Sequence, residues 1–112
     1  MKTIKILFLL FAFSTYGYAN STFTTTKIKT LIVHDYGGIL VVLQDNTVPS
    51  AEGCNVKKQV ILRRDHYLFK ELYASLLAAF HHKTSISGVV NGCYNINNVT
   101  SIPIITRLDS NN

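Results

Sequence analysis

Residues 65–82 read DHYLFKELYASLLAAFHH, and this stretch decides the fold class. Leu68, Leu72, Leu76 and Phe80 recur every fourth residue, with Phe69, Tyr73 and Leu77 beside them on one broad face. That is the spacing of an amphipathic helix packed on a core. Lys70, Glu71 and Ser75 take the opposite face, and Ala74, Ala78 and Ala79 let a neighbouring element approach closely. Asp65 is the expected N-cap of a helix over 66–82, because a carboxylate accepts hydrogen bonds from the free amides of a first turn. His81, His82 and Lys83 end it, where positive charge complements the helix dipole.

Working outward, the flanking sequence changes period. On the N-terminal side, 27–34 and 39–43 are β-branched runs separated by Asp35-Tyr36-Gly37-Gly38, which predicts a hairpin whose glycine pair supplies positive φ angles. Residues 44–58 are polar, contain Pro49 and Gly53, and predict a loop carrying Cys54. Residues 59–63 are a third short strand. On the C-terminal side, 84–91 predicts a fourth strand leading to Gly92 and Cys93, 94–101 a polar loop, and 102–108 a last strand. Pro103 suits an edge or a strand beginning. Residues 20–26 are expected to be a frayed start. Three strands, one helix and two strands define an α+β class: a small five-stranded antiparallel sheet or barrel, with its helix between strands 3 and 4. That is the element order of the Greek-key barrel known as the OB-fold.

The N-terminal end sets the compartment. Lys2 and Lys5 precede the apolar run 6–13, and small residues follow at Gly17 and Ala19. This is the pattern of a secretory signal peptide over 1–19, cleaved after Ala19. The apolar run is far shorter than the roughly 20 residues of a spanning helix. Cleavage leaves one domain, residues 20–112, expected to be secreted or periplasmic and to have no membrane span. Export suits the two cysteines, Cys54 and Cys93, which predict one disulfide closing a long loop. Zinc needs four ligands at metal spacing, and neither Cys-x-x-Cys nor His-x-x-x-His occurs.

The full chain carries eleven Lys and Arg against six Asp and Glu. Loss of Lys2 and Lys5 leaves nine against six, a net +3. Lys57-Lys58 and Arg63-Arg64 are the only basic pairs, too little for a nucleic-acid footprint. Chemistry is equally sparse. His34, His66, His81 and His82 read as capping or surface residues, since adjacent helical positions point about 100° apart and do not share a metal easily. Asp35 reads as a turn residue and Asp65 as a cap. The nucleophile elbow Gly-x-Ser-x-Gly and the phosphate loop are absent. No catalytic residue, metal or cofactor is indicated. The signal that remains is aromatic and amide: Tyr36 at the hairpin tip, and Tyr94 with Asn95 in the polar loop, suit a hydroxyl-rich ligand.

Three stretches together resemble the B subunits of AB5-type toxins, in particular the subtilase-cytotoxin and pertussis-like group. They are the signal peptide with the hairpin 28–43; the loop cysteine, strand and Phe69-Lys70-Glu71-Leu72-Tyr73 opening a helix that ends Phe80-His81-His82-Lys83; and Ser85-Ile86-Ser87-Gly88-Val89 as the next strand. The resemblance implies an OB-fold, a homo-oligomeric ring and binding of host glycans, and it assigns no sugar-binding residue by position. The expected function is therefore an exported, non-enzymatic binding domain, with a glycan or another protein subunit as partner. The alternative is a secreted or periplasmic inhibitor or immunity-type protein that binds another protein.

Overall fold

The structure, a computed structural model, describes residues 20–35, 37–48 and 53–111, with residue 111 in backbone only. Residues 1–19, expected to be a signal peptide, and Tyr36 lie outside the described residues. The elements are β1 (Ser21–Thr26), β2 (Ile28–His34), β3 (Gly38–Leu43), β4 (Gln59–Arg63), α1 (Phe69–His82), β5 (Ser85–Asn95) and β6 (Ser101–Asn111). They confirm the α+β class and place the helix between a hairpin-led half and a second hairpin. No helix among the described residues is long and apolar enough to cross a membrane.

The five-stranded antiparallel expectation is corrected in two ways. The sheet has six strands in the order β1-β5-β6-β4-β3-β2, and β4 pairs with β6 in parallel. It does not close by hydrogen bonding into a barrel. Its two edge strands, β1 and β2, are nonetheless consecutive, joined through Lys27 alone. Lys27 marks where the chain leaves β5 and takes up β3, and its carbonyl accepts a bond from Gln44 N at 2.8 Å.

The additional strand is the segment expected to fray. Phe23 is fully buried and anchors it, facing Gly88 across the β1–β5 ladder. Thr26 is also buried; its hydroxyl donates to Asp45 Oδ2 at 3.0 Å and accepts from Asp45 N at 3.1 Å. Tertiary contacts thus order a stretch whose local pattern is weak.

The core has two parts. The larger fills the space between the sheet and α1, with Phe23, Ile39, Val41, Leu62, Ile86 and Ile105 from the strands against Leu72, Leu76 and Ala79 of the helix. The smaller lies on the other face of β3, β4 and β6, where Leu40, Ile61 and Ile102 are covered by Val56 and Tyr94. Strands β3 and β4 are buried on both faces, which is why they read as continuous apolar runs. Beneath this second core the Cys54–Cys93 disulfide joins the loop before β4 to β5, with a Cα–Cα separation of 5.6 Å. Asn55 fixes the same loop to the start of β6: its amide bonds Val99 O, and its side-chain oxygen accepts from Ser101 N at 2.9 Å.

Three local expectations change. The helix begins at Phe69, its N-cap is Leu68, and no side chain caps it. Asp65 instead accepts from Arg63 at 3.2 Å, and His66 Nδ1 accepts from Leu68 N at 3.0 Å at the helix entry. Of the hairpin glycines only Gly37 has positive φ (106°). Gly38 is small for another reason: a Cβ there would stand 2.5 Å from Leu62 O. Pro103 sits in a central strand, as its third residue; a register irregularity in β5 between Val90 and Cys93 interrupts the ladder beside it. At the other helix end Lys83 adopts the left-handed conformation (φ 58°) and its amide bonds Ala79 O.

Gly88 is the tightest point of the sheet. A Cβ would lie 2.3 Å from Arg107 O and 2.8 Å from the Phe23 ring, neither of which is free to retreat. Gly88→Ala is expected to destabilise the domain by about 1–3 kcal/mol or more, as overpacking in a dense core does. A urea midpoint equal to that of the native chain would contradict this packing.

Candidate functional site

One end of the molecule collects the unusual side chains. The β2–β3 turn, the Arg63–Asp65 segment after β4, the first turn of α1 and the end of β5 all meet there. Arg64 N donates to Gly37 O at 3.0 Å, which ties the post-β4 segment to the turn. The two adjacent arginines then part. Arg63 stacks its guanidinium 4.7 Å from the Tyr94 ring centre, over the second core. Arg64 lies on the helix side, in a cleft of about 210 Å³ lined with Val33, His34, Gly38, Ile39, Phe69 and Tyr73.

The cleft follows from register and helical spacing. Val33 opposes Ile39 and His34 opposes Gly38 in the β2–β3 ladder, so Val33 shares the helix-facing side with buried Ile39. Phe69 and Tyr73 are one helical turn apart, with ring centres 5.9 Å apart and planes 20° from parallel. Both are half-buried, their inner parts packed on the main core. Val33 is 73% exposed and forms an open side of the cleft. His34 Nδ1 lies 3.0 Å from Asp35 Oδ1, and both side chains reach solvent. The floor is thus aromatic and apolar, and the rim carries Arg64 with the His34–Asp35 pair. Such a surface binds by stacking and hydrogen bonding. Among the described residues no three His, Cys, Asp or Glu side chains group to hold a metal ion.

Of the residues singled out from the sequence, Tyr94 reaches the same turn. Tyr36 lies outside the described residues, between Asp35 and Gly37. Tyr94 is brought to the turn from far along the chain: a Cβ on Gly37 would be 3.9 Å from its hydroxyl. Its ring packs against Leu40, Ile61 and Ile102 as well as under Arg63, so much of its face is occupied from within the protein. Asn95 is exposed at the last position of β5. Asn97 closes the adjoining loop, accepting from Val99 N at 2.8 Å and Thr100 N at 2.7 Å. Sequence reasoning missed Phe69, Tyr73 and Arg64. The two aromatics carried the helical spacing of core residues, and only the fold shows that they reach a cleft.

A second, larger cleft of about 550 Å³ lies at the opposite end of α1, lined with Lys27, Ile28, Lys29, Gln44, Phe80, His81 and Lys83. Comparison with known proteins finds no family model and no characterised relative that matches the chain. The class that can be stated is that of a disulfide-bonded α+β domain with an open six-stranded sheet and an aromatic cleft between its edge hairpin and its helix.

Proposed function

We propose that this chain is an exported, non-enzymatic binding domain that takes a glycan unit in the cleft between the β2–β3 turn and α1. The observation that carries the reading is the Phe69–Tyr73 pair, which gives a concave site an aromatic wall in a cleft that Arg64 also lines. Aromatic faces stack on the apolar faces of sugar rings, and a guanidinium fork donates to hydroxyl or acidic oxygens. The volume fits one small ring better than a drug-sized ligand, whose pockets run to about 300–1,000 Å³. A single-unit site is weak by itself, so avidity from a homo-oligomer of the toxin B-subunit kind belongs to the proposal.

A glycan array probed with the oxidised mature protein tests it. Tyr73→Leu keeps apolar volume against the core and removes the aromatic face, and is expected to weaken array binding about tenfold, about 1.4 kcal/mol. A blank array, or a Tyr73→Leu variant that binds like the native chain, would overturn the reading.

One observation favours the second reading, an inhibitor or immunity-type protein. β2 is an edge strand carrying exposed Ile32 and Val33, and Tyr67 beside the helix entry is 87% exposed. Unpaired strand edges with apolar side chains are docking surfaces for protein partners. Light scattering after size exclusion separates the two: a multiple of the mature mass supports the oligomeric glycan-binding domain, and a monomer that captures a protein one-to-one supports the alternative.

A further inference from the structure

The two clefts lie at opposite ends of the same two elements, β2 and α1. α1 packs across β2, with Phe69 and Tyr73 beside Val33 and His34 at one end, and Phe80 beside Ile28 and Lys29 at the other. Helix and strand therefore run in opposite directions between the two clefts. Phe69 and Phe80 are eleven residues apart on α1, about 16 Å at ~1.5 Å per residue. Lys29 and Val33 are four residues apart on β2, about 13 Å at ~3.3 Å per residue.

The far cleft differs from the near one in charge. Lys27, Lys29 and Lys83 line it with His81, and no carboxylate is among its lining residues. These cations come from three separate places in the chain: the β1–β2 junction, β2 itself and the end of α1. Phe80, 38% exposed, and half-buried Ile28 add an apolar floor, and Gln44 an amide. Three like charges around one concavity repel one another, and a bound anion relieves that repulsion.

We infer that the far cleft is an acidic subsite of the same glycan site, and that the ligand is an extended glycan chain bearing closely spaced sulfate or carboxylate groups. One unit of the chain stacks on Phe69 and Tyr73. A further unit, about 15 Å along, rests on Phe80 with its acidic groups among the three lysines. This inference rests on the glycan reading of the first cleft, and it adds the charge class and the minimum length of the ligand.

The test is calorimetric and NMR titration of the oxidised mature protein with three probes of equal length: a heparin-derived hexasaccharide (sulfate and carboxylate), a hyaluronan hexasaccharide (carboxylate only) and neutral chitohexaose. The variant combines Lys27→Gln, Lys29→Gln and Lys83→Asn; asparagine tolerates the left-handed backbone at position 83. The expected result is that at least one acidic hexamer binds ten-fold or more tighter than chitohexaose, shifts the amides of Lys29 and Phe80 together with those of Val33 and Phe69, and loses that advantage in the variant. The heparin and hyaluronan arms tell sulfate from carboxylate. Binding of all three probes at the first cleft with equal affinity would overturn the acidic subsite and leave the glycan reading standing. No response to any probe at either cleft would overturn both. A hexaglutamate peptide that matches the acidic hexamers would assign the response to charge alone and overturn the subsite.

Discussion

Phe23→Ala is expected to remove about 3–5 kcal/mol of stability, the cost of emptying a fully buried phenylalanine site. The ring lies in the main core and closes over Gly88, where no other side chain can stand in for it. Its loss leaves a cavity in the main core that has bare backbone on its Gly88 side. The effect also reaches further than one side chain. β1 is an edge strand whose other buried residue is Thr26, so with Phe23 gone little apolar burial holds the segment to β5. Both the urea midpoint and the protection of β1 amides from hydrogen exchange should fall. Thr22→Ala, exposed on the same strand, is the control and should change stability by under about 0.5 kcal/mol. A Phe23→Ala loss below about 1 kcal/mol would mean that β1 does not belong to the core.

The second large effect is covalent. The Cys54–Cys93 bond closes a loop of 39 residues, and the chain-entropy relation gives about 4 kcal/mol for a loop of that length. Small domains have about 5–15 kcal/mol in total, so this one bond accounts for much of the margin. Its position explains why it matters locally too. It holds the loop before β4 against β5 and so keeps the cover of the second core in place, together with the Asn55 clamp to Ser101. The double variant Cys54→Ser, Cys93→Ser should lose about 4 kcal/mol in urea titration, and a thiol reductant should lower the native chain to the same midpoint while leaving the variant unmoved. Equal midpoints for oxidised and reduced native protein would contradict this account.

What could be read from the chain follows from where order is local. The helix was legible because seven large apolar residues repeat at helical spacing, and β3 and β4 because both faces of each are buried and their apolar runs are unbroken. β1 was not. Its sequence, Ser-Thr-Phe-Thr-Thr-Thr, offers one large apolar residue, and its order comes from a pocket beside Gly88 and a hydroxyl bond to Asp45 far along the chain. The parallel β4–β6 pair was equally hidden, because it depends on how α1 and β5 carry the chain back across the sheet. Asp65 looked like a cap by residue type, yet the neighbouring Arg63 takes its carboxylate and the helix starts four residues later.

The site was legible in part for the same reason. Tyr94 and the hairpin tip were singled out from different segments, and the fold brings Tyr94 to Gly37. Phe69 and Tyr73 were assigned to the core by their spacing, and half of each does lie there. That their other half forms the wall of a cleft depends on β2 ending beside them, which no helical period can report. The cationic far cleft was hidden because its lysines come from three places in the chain and never form a charge run.

Backbone-amide NMR of the oxidised, isotope-labelled domain tests most directly whether ligand binds in the Phe69–Tyr73 cleft. Titration with the strongest-binding glycan from the array should move the resonances of Val33, His34, Gly38, Arg64, Phe69 and Tyr73 first and furthest, in a saturable manner, and Tyr73→Leu should abolish the pattern. Saturable shifts that cluster elsewhere on the domain, or no shifts at all, would contradict binding in that cleft.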